Sequence, residues 1–107
     1  QFDLGRALMA LGQRVPGPTI LFEAEGAFNN ALLLRRREQV PALWAETRET
    51  LARLGLEQAA RGGGKTRLMQ ARSDAEAARD EYRQLRNSVA AGRASQLLER
   101  IALELEL

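Results

Sequence analysis

A heptad repeat in the second half of the chain constrains the fold more than any other feature of the sequence. From Leu68 to Gly92, apolar and small residues recur at alternating intervals of three and four. Because an α-helix turns once in about 3.6 residues, this spacing places them on one helical face. The residues of this seam are Leu68, Ala71, Ala75, Ala78, Tyr82, Leu85 and Val89. The pattern predicts a long helix over residues 65–107 whose seam packs against another helix.

A change of register interrupts the repeat towards its end. Past Val89 the apolar residues follow a new phase that runs through Ile101 and Leu105. Such a slip marks a stutter or a break in a helix-packing seam. We therefore predict a break in the long helix near Gly92.

Glycine and proline divide the first half of the chain. Proline lacks an amide hydrogen and biases its predecessor towards extended geometry, and glycine is a weak helix former. Residues 1–17 are therefore predicted to form a short helix, closed by Gly12, and a Pro/Gly hinge. Residues 18–61 are predicted to form a kinked helical arm, in which Pro41 lies either at the kink of a continuous helix or in the first turn of a new one. Residues 62–64 are predicted to form a triglycine turn. No segment predicts a β-strand, so the expected fold class is all-α.

Many of the apolar residues are too small to build a large core. Hydrophobic residues make up 45% of the 107, but eighteen of them are alanine and only five are aromatic. Each alanine buries little area, at roughly 25 cal/mol per Å² of apolar surface removed from water. We therefore expect extended helices that form a hairpin or bundle with a coiled-coil-like seam, completed by oligomerisation or by partner subunits. A homo-oligomer is the expected state.

Two residue types that carry much of enzyme chemistry are missing. The chain has no histidine and no cysteine, which excludes disulfides, zinc–thiolate sites and the commonest general base. Its sixteen basic and fourteen acidic residues are interleaved, so the acids have guanidinium neighbours along the sequence. We therefore predict that the protein is not an enzyme, and we expect no catalytic residue, no cofactor and no metal site.

A glycine-rich segment resembles the loop that binds nucleotide phosphates. Residues 59–66 fit the relaxed pattern of Ala or Gly, four further residues, and then Gly-Lys-Thr. That loop requires a strand before it and a helix after it. Here the preceding residues, 51–58, have a helical pattern. The context favours a flexible connection between two helices in which Lys65 is solvated.

Three consecutive arginines, Arg35, Arg36 and Arg37, are the candidate phosphate contacts. Guanidinium groups that pair with phosphates bind in a salt-dependent manner. Acidic residues are interleaved with the neighbouring arginines, as in Glu49 and Arg53, and such pairs ordinarily stabilise an exposed helix. The net charge is also only +2. The balance favours a solvated helix face and makes nucleic acid a secondary partner.

Three aromatic residues, Phe22, Phe28 and Trp44, are candidate anchors for a partner protein. Large aromatic side chains bury much area and are frequent at the energetic centres of interfaces. A place in the core of a helix pair would suit the same side chains equally well. Their positions in the sequence leave both interpretations open.

The sequence also bears on where the chain is located. No apolar run approaches the roughly 18 residues that a membrane-spanning helix needs, and we expect no secretion signal. The chain begins at Gln1 rather than at a methionine and stops at Leu107 within a helical pattern. We therefore expect a piece of a longer polypeptide.

The order of segments resembles that of a group of virion proteins. Residues 4–12 are followed by a Pro/Gly break, and residues 28–31 (Phe-Asn-Asn-Ala) lead into a long helix rich in arginine, alanine, glutamate and glutamine. Over residues 1–90 this texture resembles the tape-measure proteins of tailed phages and the internal or ejection proteins of short-tailed phages. The resemblance implies a structural role, with helices packed in several symmetric copies inside a tail, portal or ejection channel.

Three functions follow from these observations. The first is a non-enzymatic structural component of a large assembly, most plausibly a phage virion, that docks by its Leu/Ala helix seams. The second is a helical adaptor or chaperone-like module of a secretion or motility apparatus, which would lie in the cytoplasm. The third is nucleic-acid binding through the arginines, whose affinity would fall steeply with salt.

Overall fold

All regular secondary structure in this chain is helical. The computed structural model describes residues 1–107 and contains no β-strand, which confirms the predicted all-α class. The five α-helices are α1 (Phe2–Arg14), α2 (Thr19–Leu34), α3 (Pro41–Gln58), α4 (Gly64–Gln84) and α5 (Ser88–Glu106). A short connection, Ala59–Gly63, joins α3 to α4, and the backbone angles of Arg61 and Gly62 within it are not helical.

Helices α1 and α2 form a hairpin across the Pro/Gly segment. α1 continues past Gly12 to Arg14, so this glycine does not close the helix. Its role is packing, because a Cβ atom there would lie 2.6 Å from the Leu21 side chain of α2. A Cβ atom on Gly5 would lie equally close, at 2.6 Å, to the ring of Phe28. The two glycines therefore let the axes of α1 and α2 approach closely.

The structure has a complete break before Pro41, so this proline lies in the first turn of a new helix and not at a kink in a continuous one. After α2, residues 35–40 form a connection in which the Val40 amide donates to the Arg36 carbonyl. Pro41 is then the first residue of α3. Proline suits that position because the first amides of a helix have no intrahelical partner to lose. The arm predicted over residues 18–61 is therefore two helices.

The triglycine segment lies where the chain reverses between α3 and α4. Gly62 has a φ of +101° and Gly64 a φ of +65°, in the left-handed region that glycine adopts without a Cβ clash. The two helices then run antiparallel, with Gly55 of α3 against Ala71 of α4. This pair forms the centre of the fold.

Helices α4 and α5 are separated earlier than the register slip predicts. The break lies at residues 85–87, where Arg86 has a φ of +58°, and not near Gly92. Asn87 caps α5, since its side-chain oxygen accepts a hydrogen bond from the Ala90 amide at 3.1 Å. Asparagine is among the strongest N-cap residues, whereas glycine inside a helix costs only about 1 kcal/mol relative to alanine. Gly92 accordingly lies within α5.

The hydrophobic core consists of three clusters. The first joins α1, α2 and α3 around Phe28. The second surrounds Tyr82 and the third Ile101, and both join α3, α4 and α5. Eleven of the twenty buried hydrophobic residues are alanine. Neighbouring helices therefore pack at close range with little side-chain bulk between them.

The helices fold back on one another instead of extending. The Cα radius of gyration is 13.2 Å, close to the value of about 13 Å for a compact domain of this length. The chain is thus a compact all-α globule, which differs from the extended arrangement that its alanine content predicts. None of its helices combines the length and the apolar character that crossing a membrane requires.

Candidate functional site

The predicted seam of α4 packs inside the chain. Five of its residues are buried against α3 and α5, namely Leu68, Ala71, Ala75, Ala78 and Tyr82. The other two are exposed, Leu85 at 40% and Val89 at 73%. Their exposure follows from the end of α4 at Gln84, since the turn that follows takes both residues out of the helical register. The seam therefore leaves no continuous apolar face on α4 for a partner subunit.

The three candidate aromatic anchors lie in different environments. Phe28 is fully buried in the first core cluster. Trp44 is half-buried, with the guanidinium carbon of Arg48 at 5.2 Å from the centre of its ring system. Phe22 is 46% exposed, and the guanidinium carbon of Arg67 lies 5.0 Å from its ring centre. Of the three, Phe22 and Trp44 are within reach of a partner.

The three consecutive arginines do not form one phosphate-facing strip. The guanidinium carbon of Arg35 lies 5.0 Å from the ring centre of Phe2. Arg37 donates to the Glu81 carboxylate at 2.6 Å. Arg36 is exposed to solvent. The side chains diverge because the connection between α2 and α3 is a turn and not a helix.

An open groove runs along α3 between α1 and α5. One end is a recess of about 500 Å³, and a second recess of about 290 Å³ continues it along α3. Met9 and Gln13 of α1 line one wall, and Arg93 and Leu97 of α5 line the other. Arg53 of α3 borders both recesses. Helices α1 and α5 therefore cover this side of α3 only in part.

A buried carboxylate organises the charges at the wider end of this groove. Glu49 of α3 is 2% exposed and accepts a hydrogen bond from the Tyr82 hydroxyl at 2.7 Å. Arg53 also donates to it at 2.5 Å, and Arg93 at 3.0 Å and 3.2 Å. Burial raises the pKa of this carboxyl, but the hydrogen bonds from Arg93 and Tyr82 and the charge of Arg53 outweigh burial and lower it. Glu49 therefore remains ionised and joins α3, α4 and α5.

Sequence reasoning found only the local part of this network. Glu49 and Arg53 lie four residues apart on one helix, and this spacing predicts an exposed pair. The contacts from α4 and α5 join residues that are 33 and 44 positions apart. No local spacing predicts such contacts. The one available signal was the position of Glu49 between Ala45 and Ala52, which share its helical face and are buried.

Helix α1 exposes a stripe of apolar residues, which we name the leucine face of α1. Leu4 and Leu11 are 51% and 49% exposed, and Leu8 between them is half-buried. They recur at intervals of four and three, the spacing of a helix-packing seam. The buried side of α1 is formed instead by Phe2 and the two glycines that face α2. Leu8 also packs against the first core cluster, whereas Leu4 and Leu11 are exposed to solvent.

The glycine-rich segment does not form a nucleotide loop. It follows helix α3 and not a strand. Lys65 lines a recess beside Leu68, whereas Arg61 lines a different recess beside Phe22. The Arg61 guanidinium donates to two backbone carbonyls of the α1–α2 connection, those of Val15 at 2.9 Å and Gly17 at 3.1 Å. Arg61 thus links the turn between α3 and α4 to the connection between α1 and α2.

No further chemical group or relative identifies a function. The chain contains no group of three or more acidic side chains close enough together to hold a metal ion. Comparisons with protein-family models, curated proteins and solved structures give no match for this chain. Function must therefore be inferred from the surfaces that the fold exposes.

Proposed function

We propose that this chain is a non-enzymatic structural subunit of a larger assembly and that it docks through the leucine face of α1. The observation that carries the proposal is the orientation of α1, whose glycines face inwards while Leu4 and Leu11 face outwards. In a chain without a partner, α1 would be expected to bury its leucines and expose its glycines, because full burial of one leucine contributes about 2 kcal/mol. An outward leucine face is expected where a second helix covers it.

The partner we propose is a second copy of the same chain, packed antiparallel along α1. Asp3 lies in the first turn of α1 and Arg14 in the last, and both are exposed. In an antiparallel pair the Asp3 carboxylate of each copy would approach the Arg14 guanidinium of the other. Such complementary ends favour a two-fold, self-complementary contact and disfavour the parallel one.

The setting we propose is the one that the resemblance to tailed-phage virion proteins implies. In that setting identical copies pack around a tail, portal or ejection channel, and the location is the virion. Docking would use α1 and not the α4 seam, because the buried seam residues already pack against α3 and α5. The texture of residues 1–90 supports this setting.

Sedimentation equilibrium at micromolar concentrations tests the proposal. We expect the wild-type chain to dimerise, and the double variant L4E/L11E to be monomeric with unchanged helicity. The control L33E/L34E places the same charges on two leucines of α2 that are 73% and 72% exposed, and it should still dimerise. A wild-type chain that stays monomeric and unfolds in one cooperative thermal transition would overturn the proposal.

The groove along α3 favours a second candidate function. A helical adaptor or chaperone-like module of a secretion or motility apparatus would hold one partner helix there, between Met9 and Leu97. Such a module acts as a monomer, so L4E/L11E would leave its mass in solution unchanged. The same sedimentation experiment therefore separates the two functions.

A further inference from the structure

We infer that the groove along α3 binds the outer face of helix α5 from a second copy of this chain. On this outer face lie Glu99, Leu103 and Glu106, which we name the acidic stripe of α5. The contact joins two different surfaces, the groove of one copy and the stripe of the next. It uses neither side of the proposed α1 dimer, so it goes beyond that proposal and does not depend on it.

The wall of the groove that α5 forms is basic. Arg93, Leu97 and Arg100 line the two recesses of the groove. They recur at intervals of four and three, so they lie on one side of the helix. The two arginines are therefore about 10 Å apart along the helix axis, with the leucine between them.

Two further arginines border the same groove, Arg6 from α1 and Arg53 from α3. Arg6 and Arg100 are exposed, and neither forms an ion pair within the chain. The side chains of Arg53 and Arg93 are close to half exposed. All four guanidinium groups are therefore accessible to a carboxylate from outside the chain.

The glutamates of the groove leave part of this positive charge without a partner. Glu49 is buried and already accepts hydrogen bonds from two of the four arginines. Glu57 pairs at 3.8 Å with Arg61, which lines a different recess. Glu46 is the one glutamate of the groove without an ion pair. The solvent side of the groove therefore favours an acidic occupant.

The acidic stripe of α5 has the same spacing with the opposite charge. Glu99, Leu103 and Glu106 also recur at intervals of four and three. All three are exposed, Leu103 at 64%, and neither glutamate forms an ion pair within the chain. Leu103 and Leu97 are separated by about 120° around the helix, so the stripe and the groove wall point in different directions.

The two patterns are in register when the α5 helices of the two copies run parallel. Leu103 of one copy then packs against Leu97 of the other, in the narrower recess that Met9 also lines. The glutamate on either side of Leu103 approaches the arginine at the same place in the pattern. A single exposed leucine is common on protein surfaces. The matched spacing and the opposite charges are what assign this leucine a partner.

The contact is small and can be repeated. A stripe of about two helical turns buries much less than the roughly 1,200 Å² at the lower end of stable interfaces. It therefore forms at the high local concentration inside an assembly and not at the micromolar concentrations at which α1 dimerises. Because it joins unlike surfaces, each added copy leaves one groove and one stripe free, as in a ring or a filament.

A mixing experiment in the L4E/L11E background tests the contact, because those substitutions remove the α1 dimer. Arg100→Glu disables the groove and keeps the stripe, whereas E99R/E106R disables the stripe and keeps the groove. At about 1 mM the background chain should associate, and each variant alone should associate at least tenfold more weakly. Mixing the two variants should restore association as a one-to-one dimer, since one intact groove and one intact stripe remain.

Isotope labelling of each component in turn identifies the two surfaces by NMR. With E99R/E106R labelled, amide shifts should change along the groove, at Met9 and Arg53. With Arg100→Glu labelled, they should change on the outer face of α5 around Leu103. Shifts of the same residues in both experiments would show a self-complementary contact and would overturn the inference.

The matched controls are Arg72→Glu and E23R/E76R. They make the same changes of charge at exposed residues that form no ion pair and line neither recess of the groove. Each control should associate as the background chain does, and circular dichroism establishes that every variant is folded. Loss of association in the controls would overturn the inference, since net charge alone would then explain it.

A background chain that stays monomeric at about 1 mM would also overturn the inference. That result would leave the groove to a foreign helix. Dimerisation through α1 would be unaffected, because it is measured in the wild-type chain at micromolar concentration.

Discussion

Two buried carboxylates show how the number of donors decides the charge state of an acid in this fold. Glu49 receives hydrogen bonds from two arginines and a tyrosine, and its pKa lies below the ordinary value of 4.5 despite the opposing effect of burial. Asp74 is 3% exposed, and burial raises its pKa although Arg48 donates to it at 2.6 Å. Each donor stabilises the ionised form, and Glu49 has enough of them to outweigh desolvation.

Replacing Glu49 by glutamine should destabilise the fold at neutral pH. Arg53 and Arg93 are 47% and 46% exposed, so solvent screens part of the loss. We therefore expect a decrease of about 2 kcal/mol in the free energy of unfolding, less than the ~4 kcal/mol typical of a fully buried pair. Urea unfolding measures the change. Glu46→Gln removes the same charge from a half-buried position of α3 and should change stability by less than about 0.5 kcal/mol.

The effect of Glu49→Gln should also depend on pH. Because the folded pKa of Glu49 is below its unfolded value, the unfolded state binds more protons in acid. The stabilisation is therefore present above 4.5 and lost as the pH falls through the lower, folded pKa. Asp74 has the opposite sign, but it is common to both proteins and cancels in the difference. A difference that persisted undiminished in strong acid would contradict this linkage.

Tyr82 should ionise only as the chain unfolds. Burial, the hydrogen bond to Glu49 and the charge of that carboxylate all raise the pKa of its hydroxyl above the ordinary value of 10.0. With a raised pKa the stabilisation is complete below pH 10.0 and is lost as the pH rises through the folded pKa. Tyr82 is the only tyrosine, so tyrosinate absorbance reports on it alone. The absorbance should rise together with the loss of helicity. Ionisation near 10.0 at full helicity would refute the prediction.

At the scale of the helices, the surroundings of a glycine decide its effect on packing. Gly55 of α3 lies where a Cβ atom would be 2.8 Å from the Cβ atom of Ala71 in α4. Gly92 of α5 has open space at the equivalent position. The first glycine sets the distance between two helix axes, and the second only weakens its own helix.

The two corresponding alanine variants should therefore differ in their effect on the free energy of unfolding. Gly92→Ala should raise the free energy of unfolding by about 1 kcal/mol through helix propensity. Gly55→Ala gains the same helix propensity, but its Cβ atom must move α3 away from α4. Overpacking of this kind costs about 1 to 3 kcal/mol. We expect a net decrease or no gain for Gly55→Ala. Thermal unfolding of both variants measures the contrast, and equal stabilisation by both would show that α3 and α4 separate freely.

At the scale of the whole molecule, the chain buries its core without a second copy. Its accessible surface of 6415 Å² is near the roughly 5,900 Å² expected for a monomer of this mass. The first core cluster joins the α1–α2 hairpin to α3, and the other two hold α3, α4 and α5 together. Association is therefore proposed to use exposed faces and not to complete a missing core.

The α1–α2 hairpin should open as a unit when its cluster is weakened. Leu54 of α3 is fully buried in the first cluster, so Leu54→Ala should cost about 2 to 5 kcal/mol. Native-state hydrogen exchange should then show the greatest loss of amide protection in α1 and α2. Ile101→Ala makes a comparable cavity in the third cluster and should affect α5 most. Identical exchange patterns in the two variants would mean that the molecule opens only globally.

Local features of the sequence determined the helices and the composition of the core. The all-α class followed from the absence of strand patterns, and the heptad spacing from Leu68 marked the face of α4 that is buried as far as Tyr82. These features depend on residues three and four apart, which share a helical face whatever the rest of the chain does. The sequence alone did not locate the end of α4, because the Asn87 cap is stronger than the register slip near Gly92.

Only the tertiary structure decided what each of these faces meets. The α4 seam packs within the chain, the leucine face of α1 is exposed, and Glu49 meets Arg93 at a separation of 44 residues. Such contacts depend on the chain reversals at residues 59–63 and 85–87. In each reversal one residue with a positive φ sets the direction of the helix that follows. Local periodicity determines which face of a helix is apolar, but the partner of that face is set by chain reversals and close contacts distant in sequence.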